Sequence, residues 1–492
     1  MHGRSQVYVD TVLHPIYQFT KLEFLNYILQ INMAHVMMLE KQKIIPKIDA
    51  EKMLLANHKI LKEGFPKEYD PQFEDLFFML EDQMKNHIGE ELVGNMHIAF
   101  SRNDMDATMF RMHWRKKVTQ WIEVVATLQQ QILKIASEQK DTIMTAYTHN
   151  QQAQPTTVSH YLLAIASHLN RDMERGLNLL SRINESPMGA AALGTTGFPI
   201  DREYIAELLG FDKAMENSYD SIAAADYMLE IGTTLSIFLS TLSRFVYDLM
   251  FLATNEVNGI RLDASLVQTS SIMPQKRNPS SLEHTRSTIS STLGKLQGIF
   301  YLSHSVPFGD IVDIGDDIQP SIQEGINQSI SITTLLTEIL KNTTFNSEKL
   351  LNTCTSGFST VTELADTLVR HHGFSFRLAH KVVQDYVRKL SEKDLDLKGG
   401  DFSLFREIVA NVAGRDVQMS EGDYKKAIDP EHFIRLRAIK GGPNPNETER
   451  QRGYFDSKLT DVNQKLALLN QRFQQYEKRF YQFNQMDDVR GN

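Results

Sequence analysis

Two adjacent serines, a lysine and an asparagine fall within the eleven residues from Thr269 to Pro279. Asn278 and Pro279 read as a helix start, with Asn as the cap and Pro as the first helical residue. The run from Ser280 to Leu296 has helical character, so the segment brings hydroxyl, amide and ammonium groups to the positive end of a helix. Free N–H groups there attract carboxylates and other anions. The chemistry on offer is an anion site with a movable hydroxyl beside it. Two further polar clusters, Ser101 to Asp104 and Thr148 to Gln154, each border a long helical stretch. Hydroxyls, amides, Arg and Lys predominate, and the clusters contain no grouped set of metal ligands. That inventory suits a small carboxylated substrate handled without a metal or other cofactor. Ser, Thr and Asn are also the ordinary helix caps, so capping alone explains each cluster taken singly.

Helices must position these groups. Residues 20–43 read as a buried helix, with Phe24, Tyr27, Leu29, Ile31 and Met33 apolar almost all round, and residues 71–88 form another. Ser101 and Asp104 have capping-box spacing ahead of a helix from Met105 to about Gln139. Tyr147 to Gln154 is a polar gap that Pro155 closes as a helix start. Beyond it Val158, Leu162, Ile165, Leu169, Met173, Leu177 and Leu180 recur at steps of three and four. A Gly-rich turn region at 189–199 leads to helices near 201–210 and 217–257, and residues 307–320, rich in Asp, Gly and Ile, read as loop. The long helices at 105–139, 155–183, 217–257 and 279–304 make a bundle too extended for one chain to cover, which predicts shared burial in an oligomer. In the tail, Leu459, Val462, Leu466, Leu469, Phe473, Tyr476, Phe480 and Phe483 form a heptad seam. It predicts an amphipathic helix that docks on another copy or another protein, or simply a packed terminal helix.

The chain has 492 residues, 41% hydrophobic and 23% charged, which is ordinary for a soluble protein of two or three domains. A net charge of −9 argues against nucleic acid as a partner. The single cysteine, Cys354, excludes an intramolecular disulfide and a cysteine-based metal site, and fits a reducing cytoplasm. Met1 to Asp10 lacks a signal-peptide core, and no uninterrupted apolar run reaches bilayer-spanning length, so no membrane association is expected.

The run Ser270 to Pro279 closely resembles the signature of the aspartase/fumarase superfamily, whose members eliminate fumarate from a succinyl group. Further matches favour its argininosuccinate lyase branch: Ser101 to Asp104, Thr148-His149 with Gln152 to Pro155, Ser159-His160, Asp201 to Glu203, Glu363 to Asp366, and Ala379-His380. They run in order from about residue 30 to 440. Adenylosuccinate lyase fits the 101–104 and 159–160 segments less well. The resemblance implies an all-α protomer of three domains, with a central five-helix bundle. The boundaries expected are 1–101, 102–352, 353–445 and a tail helix over 446–492. It also implies a homotetramer whose active sites each draw on three subunits. By resemblance Ser270 is the catalytic base, in alkoxide form on a mobile loop, with Lys276 lowering its pKa. Lys276 and Asn278 hold one carboxylate, and Arg102, Asn103, Thr148 and Ser271 hold the rest of the succinyl group. Gln319 joins the substrate-binding set. His149, oriented by Glu283, is the group expected to protonate the departing nitrogen or stabilise charge, while His160 reads as packing.

Departures from the pattern fall mostly at the other half of the substrate. Thr269 stands where Gly is usual, Ala99-Phe100 replace Gly-Arg, and Met105 replaces Gln. The family's substrate-binding Ser and Asp near the N-terminus become Tyr17 and Lys21. Asp317 to Gln319 keep the core of a third motif, but its flanking Tyr and Lys become Ile314 and Ile322. The succinyl end is kept and the arginine end is altered. Argininosuccinate is the first substrate expected. The alternatives are a paralogue that couples fumarate to a different amine or amino acid in specialised metabolism, and an inactive crystallin-like scaffold.

Overall fold

Phe24 interrupts the first long apolar segment. In the computed structural model, which describes residues 4–487 with side chains through Phe480, α1 (His14–Glu23) ends there and α2 (Leu25–Lys41) begins. α2 is buried on nearly every side, as its all-round apolar pattern requires. α3 (Lys47–Glu63) packs on it. α4 (Leu76–Ile88) starts later than expected because Asp75 caps it, its side chain accepting from Phe78 N at 3.1 Å.

α5 (Arg102–Glu138) is opened by the expected capping box. Ser101 Oγ accepts from Asn103 N at 3.3 Å, and Ser101 N donates to Asp104 Oδ1 at 3.0 Å. The segment after it corrects one expectation. Pro155 does not start a helix; it lies inside a hairpin of β1 (Ile143–Thr148) and β2 (Gln151–Thr157). A two-stranded sheet is all edge, so a residue without an N–H is tolerated, and Pro155 sits where the register slips between Thr145 and Tyr147. Thr157 caps the following helix instead, accepting from His160 N at 3.0 Å.

α6 (Val158–Ile183) buries the predicted stripe. The single helix expected at 217–257 is two, Ser218–Ala223 and α7 (Asp226–Leu252), parted at Ala224 and Ala225. By length and composition α7 is apolar enough to cross a membrane, although Glu230, Arg244 and Asp248 interrupt its apolar run. Its residues Ile231, Leu235, Phe238, Leu242 and Phe245 lie in the protein core. The signature loop is pinched by a two-residue ladder of β3 (Gln268–Thr269) and β4 (Arg277–Asn278). Asn278 is therefore in a strand, and Pro279, not Asn278, is the cap of α8 (Ser280–Ser303). Residues 313–317, read as loop, form a π-helical turn leading into α9 (Ile318–Lys341). α5 to α9 pack side by side as a five-helix bundle.

A separate core joins α10 (Val361–His372), α11 (Phe376–Glu392) and α12 (Phe402–Ala413) through Leu364, Leu368, Val382, Phe405 and Val409. The tail helix α13 (Pro445–Asp487) turns back onto the bundle. Leu459, Val462, Leu466 and Phe480 bury their seam in the main core, against α5 and α6 of the same chain; the side chain of Phe483 lies outside the described residues. The packed-terminal-helix reading of the tail therefore holds over this stretch, and the seam is not left free for a partner.

Candidate active site

Helix direction decides where each candidate lies. The starts of α5 and α9 lie together, joined by the Trp114 Nε1 to Gln319 Oε1 bond at 2.9 Å. At the opposite end, Ile260–Leu262 after α7 pairs with Thr343–Phe345 after α9. Thr145 of the β1–β2 hairpin reaches Cys354 just beyond, at 3.1 Å. Arg277 of the signature loop donates to Leu262 O at 2.9 Å. Arg102, Asn103 and Gln319 thus occupy one end of the bundle, and Thr148, His149, Ser270, Ser271, Lys276, Asn278 and Glu283 the other.

At the first end lies a cavity of about 790 Å³ lined by Arg102, Asn103 and Gln319 among others. Arg102 pairs with Asp75 and lies 3.6 Å from Glu74. Asn103 Nδ2 donates to Ala192 O at 3.3 Å. Beneath them Asp104 is buried, its Oδ2 accepting from Gly189 N and Ala191 N, each at 2.9 Å. That carboxylate fixes the Gly-rich turn beside the cavity. Gln319 is also buried, and both ends of its amide are used: Oε1 by Trp114, Nε2 by Ile314 O at 2.9 Å. Tyr17 and Lys21 share one task, since the Tyr17 hydroxyl donates to Pro66 O at 2.6 Å and the Lys21 ammonium to the same oxygen.

Carboxylates missed in the sequence line this cavity. Asp106 sits one helical turn beyond Arg102, and Asp310 and Asp316 come from the Asp-rich stretch before α9. Burial pushes the Asp316 carboxyl up to about 6, with the charges of Asp317, Asp75 and Asp310 adding to it. Asp106 is raised well above the ordinary carboxylate range, by burial first and then by Asp75, Asp316 and Asp310. The i, i+4 spacing of Arg102 and Asp106 was the available signal.

At the second end Ser270 is half-buried at the base of an exposed loop. Its Oγ accepts from Ile272 N at 3.3 Å and Met273 N at 3.1 Å. Two amide donors on one hydroxyl oxygen favour its deprotonated form. His149 and Asn150 form the hairpin turn with φ of 53° and 57°, which thrusts both outward. Thr148, His149, Lys276 and Glu283 are exposed, and their side chains make no hydrogen bond or ion pair with any described group. His149 and Glu283 do not meet within the protomer. His160 is structural, as expected: Nε2 donates to Gly441 O at 2.9 Å, so Nδ1 is left to accept from Thr156 Oγ1 at 2.8 Å.

Other matched motifs are scaffold. Arg202 donates to Met188 O at 3.1 Å, and buried Glu363 pairs with Arg370 and, at 2.7 Å, with Arg437.

Comparison with known proteins identifies the family. Residues 49–294 match a lyase family model, and residues 358–435 match the argininosuccinate lyase C-terminal model. Argininosuccinate lyase 1 of Shouchella clausii is 34% identical over 96% of this chain and 95% of its own. The argininosuccinate lyase of Methanocaldococcus jannaschii is 35% identical over 89% of this chain and 90% of its own. The crystal structure of EDDS lyase in complex with formate superposes with a TM-score of 0.87 at 29% identity, covering 98% of this chain and 95% of that one. With half the chain matched by the lyase model and near-full-length relatives above 30% identity, the chain belongs to the argininosuccinate lyase family of the aspartase/fumarase superfamily.

Proposed function

We propose that this argininosuccinate lyase-like enzyme, a fumarate-releasing carbon–nitrogen lyase, uses Ser270 as its base. The two amide donors on Ser270 Oγ carry the reading, because they favour an alkoxide on an otherwise very weak base. The alkoxide takes a proton from the carbon beside one carboxylate of an N-substituted aspartate. The resulting aci-carboxylate carries its charge against Lys276 and Asn278. The C–N bond then breaks, its electron pair leaves on nitrogen, and nitrogen takes a proton from His149. Fumarate and the free amine result. Arg102, Asn103, Thr148 and Ser271 hold the succinyl group, and argininosuccinate is the first candidate substrate.

Because the candidate groups divide between the two ends of one bundle, the complete site is assembled from several copies, in a cytoplasmic homotetramer. The exposed, unpaired side chains of Thr148, His149, Lys276 and Glu283 support this. Ser270→Ala should lower the rate of fumarate formation from argininosuccinate, followed by fumarate absorbance, at least about a hundredfold. A variant that keeps its rate removes Ser270 as the base.

A further inference from the structure

We propose that the segment from Cys354 to Thr362 is a positioning element for His149, acting through Thr145 and Gln154 of the β1–β2 hairpin. The inference rests on the lyase reading above, in which His149 protonates the departing nitrogen, and names what aims it.

The His149 side chain bonds to no described group of the protomer, so the hairpin backbone places it. That backbone is poorly suited to the task alone. Two strands joined by a tight turn are marginal in water. The ladder slips between Thr145 and Tyr147, which breaks the pairing near its middle. At the tip His149 and Asn150 both take left-handed φ, 53° and 57°, where such turns favour Asn-Gly. A bulky side chain there is strained, and the strain persists only where the surroundings hold it.

The 354–362 segment supplies the hold. At the hairpin base, buried Thr145 Oγ1 donates to buried Cys354 Sγ at 3.1 Å. On β2, Gln154 Nε2 donates to Thr362 Oγ1 at 3.2 Å. Between them Gln152, two residues past the tip, lies over Gly357, where a Cβ would stand 2.7 Å from Gln152 Oε1. The segment is itself fixed, since Ser359 Oγ donates to Cys354 O at 2.6 Å and Thr360 Oγ1 to Ile428 O at 3.1 Å. Glu363, next to Thr362 and fully buried, pairs with Arg370 and, at 2.7 Å, with Arg437. Arg437 follows the helix Pro430–Leu436, which packs on β2. The matched segments Gln152–Pro155 and Glu363–Asp366, idle in the elimination, therefore meet in one device. A reacting group displaced by about 1 Å loses much of its rate, so a slack hairpin costs catalysis without a change of fold.

The test is kcat for fumarate formation from argininosuccinate by the full-length enzyme carrying Thr145→Val together with Gln154→Leu. The pair should lower kcat at least about fivefold in the wild-type background and less than about twofold in a His149→Gln background, where there is nothing left to aim. Thr362→Val should act in the same direction as Gln154→Leu, and Thr362→Ser, which keeps the hydroxyl, should retain the wild-type rate. Hydrogen exchange reads the hold without turnover: amides of residues 147–152 should exchange at least about fivefold faster in the double variant, with those of α6 unchanged. Equal losses of kcat in both backgrounds, or unchanged exchange at 147–152, overturns the inference while the lyase reading stands. If the wild type yields no fumarate, or His149→Gln keeps the wild-type kcat, the lyase reading or its proton donor fails. Exchange then decides the hold: faster exchange at 147–152 supports it and unchanged exchange refutes it.

Discussion

Replacing Gln319 with Leu separates two roles for a residue that family likeness assigns to substrate binding. The side chain is buried; Oε1 accepts the Trp114 indole N–H at 2.9 Å and Nε2 donates to Ile314 O at 2.9 Å. Leucine has similar bulk and neither polar group. It leaves the Trp114 N–H without its acceptor, at about 1–3 kcal/mol, and removes a donor from the Ile314 carbonyl, at about 1 kcal/mol. The expected loss is therefore about 2–4 kcal/mol, read as a lower urea midpoint by far-ultraviolet circular dichroism. Trp114→Phe deletes the donor whose orphaning dominates that sum. In its background Gln319→Leu should cost about 1–3 kcal/mol less, a non-zero coupling in the double-mutant cycle. An unchanged urea midpoint with zero coupling, alongside a steep rise in KM, would refute this reasoning and make Gln319 a direct substrate ligand.

The tail makes a second prediction. Arg115 lies between the rings of Phe211 and Phe473, at 4.3 and 4.9 Å, and donates to Asn184 Oδ1 at 2.7 Å and Leu209 O at 2.6 Å. Arg115→Met should cost about 2–4 kcal/mol and expose α13 to limited proteolysis; an unchanged cleavage rate would show that the tail is held elsewhere. Acid should also act through buried histidines. Burial lowers His35, His97 and His113 from 6.5 to about 4. Between those values the unfolded chain binds protons that each folded histidine does not, so the contribution of each is fully present above pH 6.5 and is lost as pH drops towards 4, by up to about 1.4 kcal/mol per pH unit. Buried Asp104 and Asp316, raised to about 7 and about 6, oppose that slope in the wild type. His113→Gln should therefore lose less urea midpoint on acidification than the wild type across this window, and equal losses contradict the assignment.

Much of the frame was legible because its signals are local. The Ser101–Asp104 box and the α6 stripe each depend on spacing within one helix, and each formed as read; the tail seam also lies on one helix, packed on its own chain as far as Phe480. Pro155 misled because proline suits both a helix start and a strand edge, and only pairing with Thr145 chooses between them. Asn278 misled in the same way, since its ladder partner Gln268 lies ten residues back. The site was legible as residue types and not as places. Nothing local tells that Arg102 and Ser270 belong to opposite ends of a bundle, or that Gln319 spends its amide on Trp114. Asp106 was overlooked because a single Asp on a helix normally faces water, and its surroundings come from segments about 30 residues before and about 200 after.

Helix α5 sets the separation between the two ends. Its 37 residues span about 55 Å without a break. Inserting one residue in its middle would turn one end against the other by about 100° and lengthen it by about 1.5 Å. Arg102 and Asp106 would then face away from the cavity if the far half kept its packing, or the β1–β2 hairpin would be displaced if the near half did. Changes of chain length in this helix should therefore be among the least tolerated in the protein, while the connection at 393–401 can vary. The helix acts as a ruler whose units are whole turns, and its length constrains the site independently of any side chain it carries.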